Sequence, residues 1–85
     1  MQDKKEMVLK ALAKIVKEKR GEMSITQLSL EVDVSKSIWS MIEKAQRDTQ
    51  LTTLFRVAEA LYVKPSQLLA DVERELGENF SFIEN

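Results

Sequence analysis

Ser24-Ile25-Thr26-Gln27-Leu28-Ser29-Leu30-Glu31-Val32-Asp33-Val34-Ser35-Lys36-Ser37-Ile38-Trp39-Ser40-Met41-Ile42-Glu43-Lys44 holds two helix starts only eleven residues apart. Ser24 has the short hydroxyl side chain that caps a helix. With Gln27 three residues on, it completes a capping-box pattern, so a helix is expected to run to about Val32 with Leu28 and Val32 facing inward. Asp33-Val34-Ser35 interrupts the pattern for three residues. Ser35 can then cap another helix, running to about Glu43 and carrying Ile38, Trp39 and Ile42 on its inner side. Two short helices joined this tightly form a corner.

Outward from that corner the chain stays helical. Upstream, Val8, Leu12, Ile15 and Val16 recur at helical spacing with Lys10, Lys14, Lys17 and Lys19 between them, which predicts an amphipathic first helix from about Asp3 to Lys19, ended by Arg20-Gly21-Glu22. Downstream, the polar run 46–50 reads as a loop. Leu51, Leu54, Phe55, Ala58 and Leu61 mark a fourth helix for which Thr49 is the expected cap. Pro65 suits the first turn of a fifth helix, whose inner face is Leu68, Leu69 and Val72 and which ends near Leu76-Gly77. The reading is therefore an all-α, five-helix domain over residues 1–76 with a tail, 77–85, in which the pattern of Phe80, Phe82 and Ile83 is too short to assign.

Composition narrows the function. At 85 residues there is room for one domain with a modest core. The chain has no Cys and no His, so disulfides, thiolate nucleophiles and the commonest general base are all missing, and no cofactor or metal is expected. An enzyme is therefore not expected. Thr26, Thr52 and Thr53 have no base at motif spacing, and Asp71, Glu73 and Glu75 read as a solvated helix face rather than a metal or acid–base cluster. With neither a signal-peptide pattern nor an apolar run of membrane-spanning length, a cytoplasmic protein off the membrane is expected. The formal net charge of −1 conceals a polarity: residues 1–20 hold seven basic against three acidic side chains, whereas 57–85 hold two against six. One face is thus suited to phosphates and another to something else.

The corner meets the needs of a helix-turn-helix. There a first helix braces a second in the DNA major groove, about 12 Å wide. The crossing needs a small residue on the bracing helix, here Ser29. The turn needs a residue tolerant of positive φ, here Asp33, and the reading helix needs buried apolar residues, here Trp39 and Ile42. Trp39 is expected in the core rather than as a base-stacking platform, since no other aromatic neighbours it.

At these residues, together with Leu51-Thr52-Thr53-Leu54-Phe55-Arg56-Val57-Ala58-Glu59-Ala60-Leu61 and Val63, the chain resembles the Cro/repressor-type helix-turn-helix family, also called the xenobiotic-response-element family, over roughly residues 8–69. It departs from the family pattern at Ile25, where Gln is common, at Ser29 (Ala), at Asp33 and Ala45 (Gly) and at Thr49 (Pro). The resemblance implies a sequence-specific transcriptional regulator, by default a repressor, that binds double-stranded DNA at an inverted repeat as a homodimer. It implies base-facing roles for Lys36, Ser37, Ser40 and Met41 on the third helix (about 35–44), and phosphate contacts at Ser24, Ser35, Lys44 and Arg47. It also implies a pair between a basic residue on the first helix, taken as Lys17, and Glu43. Lys36 can donate to guanine, Ser37 can pair with several base edges, and Met41 can pack on a thymine methyl.

A two-fold dimer needs a contact, and Leu76, Phe80, Phe82 and Ile83 are more apolar than a solvated tail should be. The competing reading of the tail is that its aromatics fold back onto the domain's own core. The competing function is an antitoxin-like or adaptor module whose acidic C-terminal half binds a protein partner.

Overall fold

The computed structural model describes residues 3–83, which form five helices and, among those residues, no strand: α1 (Lys4–Arg20), α2 (Ile25–Val32), α3 (Lys36–Glu43), α4 (Leu51–Ala60) and α5 (Pro65–Leu76). Each start has a local cause. Asp3, Ser24 and Ser35 sit in extended backbone, and their side chains accept from the N–H groups of Lys5, Gln27 and Ile38, satisfying donors that a helix start leaves open. Pro65 opens α5 as the first helical residue, where its missing N–H costs nothing. The expected cap at Thr49 is corrected. Gln50 holds the cap position of α4 without a side-chain hydrogen bond, and the Thr49 Oγ1 lies buried with no partner one residue too early.

Turns 33–35 and 44–50 share a feature. Asp33 and Ala45 both adopt left-handed backbone, with φ of 55° and 56°; Tyr62, after α4, does the same at 62°. Asp tolerates this geometry better than most residues, but the Cβ of Ala45 is strained there. The two positions where the sequence departs from a glycine pattern are thus two places where the backbone takes a glycine-like turn.

Of the side chains expected to face inward, Leu12, Ile15, Leu54, Leu61 and Val72 are in the core, which also takes in Val34 and Val57, whereas Leu51 and Phe55, expected on the inner face of α4, stand 65% and 54% exposed. Val16, Trp39, Val57, Ala58 and Leu68 are wholly buried, and Leu28, Val34 and Ile42 nearly so. Ile25, Val32, Ile38 and Leu76 pack against its edge. α1 packs on α5 and α3, α2 on α3 and α4, and α4 on α5. Leu69, expected inside, stands at 45% exposure on the outer side of α5.

α1 and α5 run antiparallel, because Lys14 meets Glu75 at 3.0 Å while Lys19 meets Asp71 at 2.6 Å. Arg74 and Gln67 also hold Asp71. These carboxylates, expected as a solvated face, are therefore partners of α1, and hydrogen bonding from Lys19 first and Arg74 second holds the Asp71 carboxyl below its ordinary range. No described helix is long and apolar enough to cross a membrane.

Candidate nucleic-acid interface

α3 divides sharply. Trp39, Ile42 and Glu43 are buried, while Lys36, Ser37 and Lys44 are exposed and Ser40 and Met41 are half-exposed between them. Apolar residues at 38, 39 and 42 anchor one side of the helix, so helical periodicity sends 36, 37, 40, 41 and 44 to the other. Among the described residues neither Lys36 nor Lys44 has an ion-pair partner. One helix face therefore presents two free cations, two hydroxyls and a thioether.

Glu43 fixes that face in place. Its carboxylate takes both forks of the Arg20 guanidinium, Nε at 2.5 Å and Nη2 at 2.9 Å, while Arg20 Nη1 donates to the Met23 carbonyl at 2.9 Å. A bidentate, mostly buried pair sets orientation as well as position, so the last turn of α1, the turn before α2 and the end of α3 are tied at one point. Glu43 hydrogen bonding raises the Arg20 guanidinium above its ordinary range. The pairing expected for Lys17 is corrected here: Lys17 is exposed and Arg20, three residues on at the helix end, holds Glu43.

The remaining expected residues fall as follows. Ser24 and Ser35 are exposed at the starts of α2 and α3; each Oγ accepts from its helix, leaving the hydroxyl hydrogen free to donate outward. Arg47 is half-buried, with Nε enclosed and without a hydrogen-bond partner. Ile25, at a position where the family pattern commonly has Gln, packs against the core. Ser29 is half-buried on α2, its hydroxyl donating to the Thr26 carbonyl at 2.8 Å.

In the tail, Phe80 is half-buried and meets Phe82 edge to face at 5.4 Å. Lys4 Nζ donates to the Ser81 carbonyl, so the tail returns toward the start of α1. Phe82 and Ile83 nevertheless stay 64% and 83% exposed. A groove of about 810 Å³ along α5 is lined by Leu69, Val72, Leu76 and Phe80 together with Glu73, Arg74 and Glu78. Residues 84 and 85 lie outside the described residues. No protein family matches this chain, nor does any curated protein or solved structure.

Proposed function

We propose that the chain is a sequence-specific DNA-binding regulator, by default a repressor, in which α2 and α3 act as a helix-turn-helix and α3 enters the major groove. The observation that carries this reading is the outer face of α3, where Lys36 and Lys44 have no intramolecular partner while Glu43 on the same helix is clamped from behind by Arg20. Free cations on a rigidly held helix suit a polyanion. The mixed hydroxyl and thioether surface between them suits base edges better than a uniformly charged strip would.

In this reading Lys36, Ser37, Ser40 and Met41 face bases, while Ser24, Ser35, Lys44 and Arg47 position the backbone. The N-termini of α2 and α3, with their serine hydroxyls and helix dipoles, add favourable ground for phosphates. Few side chains per domain reach bases, so specificity calls for two half-sites and a two-fold dimer. The dimer contact is the α5 groove together with Leu76, Phe80, Phe82 and Ile83.

Selection of bound duplexes from a random library tests the reading. Enrichment of an inverted repeat with half-sites about 34 Å apart, one helical turn, is the expected result. Enrichment of a lone half-site removes the dimer. No enrichment leaves the adaptor role, in which the same groove takes a different protein.

A further inference from the structure

A second basic feature lies outside the residues assigned above. Lys10, Lys14 and Lys17 fall within roughly 60° of arc on α1. They face Lys44 and Ala45 across a groove of about 440 Å³ with Ala13 at its floor. The loop after α3 follows α1, since Asp48 comes within 3.9 Å of Lys5. Two carboxylates also line the groove: Glu43, already neutralised by Arg20, and Glu18. Lys10 is paired only with the exposed Glu6 at 3.1 Å and Lys14 with Glu75 at 3.0 Å, whereas Lys17 has no ion-pair partner among the described residues.

We infer that this groove is a second phosphate track, which carries the backbone of duplex DNA away from the segment read by α3 and along α1. The inference rests on the proposed DNA-binding reading and extends it. Lys44 belongs to both surfaces, so the track continues the α3 face without a gap. Lys10 and Lys17 lie about 10 Å apart along the helix axis, or about three phosphate steps at 3.4 Å of axial rise per strand. Lysines along one helix face, with no aromatic side chain lining the groove between them and Lys44, give contacts that carry affinity without sequence preference. That continuity with the α3 face favours a duplex over an acidic polypeptide.

The test measures binding of the full chain to a labelled 30-base-pair duplex of random sequence across 50–200 mM NaCl, for the wild type, Lys10→Gln/Lys17→Gln and Lys36→Ala. Each phosphate contact contributes about −0.9 to the slope of log affinity against log salt. The double variant should therefore flatten the slope by about 1.8, with unchanged helical circular dichroism and an unchanged preference between a selected site and random duplex. A wild-type slope in the double variant, with binding still weakened by Lys36→Ala, overturns the track and leaves the α3 reading standing. No duplex binding by the wild type overturns both, and tighter binding of poly-glutamate than of duplex, lost in the double variant, overturns the track in favour of an acidic protein ligand.

Discussion

The seam between α1 and α5 and the outer face of α3 use the same charged residue types to opposite ends. Along the seam each lysine meets a carboxylate: Lys14 with Glu75, Lys19 with Asp71, and Asp71 also with Arg74 and Gln67. On α3, Lys36 and Lys44 meet none, and the helix's one carboxylate is turned inward to Arg20. Charges satisfied within the chain orient helices; charges left over on a fixed surface call for a partner. A net charge of −1 hides this division between charges paired within the chain and charges left over on α3.

The largest effect is expected from removing the Arg20–Glu43 clamp. Glu43→Ala leaves a mostly buried guanidinium without its carboxylate and is expected to cost about 3 kcal/mol, lowering the melting temperature by about 15 °C for a domain of this size. Lys17→Ala, by contrast, should leave thermal unfolding unchanged. Equal losses in the two variants would return Lys17 to the pairing that Arg20 holds.

A smaller effect sharpens the other half. Lys36→Ala and Ser37→Ala should reduce discrimination between a selected site and random duplex by about 1–3 kcal/mol each, measured as a ratio of affinities, with melting temperature held. A large fall in stability with discrimination intact would make these side chains structural.

The five helices were legible because their boundaries depend on neighbours in sequence: serine caps at Ser24 and Ser35, Pro65 at a first turn, and apolar residues every three or four positions. Trp39 was legible as core for the same reason, since Ile38 and Ile42 mark its side of the helix. What escaped depends on packing between elements. Arg20 and Lys17 lie about a turn apart on one helix, and only the rotation of α1 against α3 selects Arg20. The groove formed with Lys10, Lys14 and Lys17 needs the loop after α3 laid along α1, which no local pattern encodes. Thr49 looked like a cap by residue type, but the helix begins one residue later than its side chain can serve.

Ala45 offers a gain rather than a loss. Its left-handed backbone costs a Cβ-bearing residue about 1 kcal/mol, so Ala45→Gly is expected to stabilise the chain by about 0.5 kcal/mol after the added flexibility of the unfolded state. Thermal unfolding checks the sign, and destabilisation would mean that the turn after α3 is not left-handed.

The smallest effect lies in acid. The Asp71 carboxyl is held below its ordinary range, so it binds protons less readily folded than unfolded. Its contribution is present above the unfolded value, near pH 4, and is lost as pH falls through the lower folded value. Asp71→Asn should thus narrow the gap in stability between neutral pH and pH 3. An identical pH profile in wild type and variant would show the seam to be electrostatically idle.

The most direct test of the claim that the unpaired face of α3 meets DNA is a residue-by-residue map of backbone amide NMR shifts while a selected duplex is titrated into the full chain. The account predicts the largest changes at 24–29 and 35–47, including Lys36, Ser37, Ser40 and Met41, with the outer side of α5 unmoved at constant oligomeric state. Changes concentrated instead along Leu69, Leu76 and Phe80, with α3 silent, would contradict it.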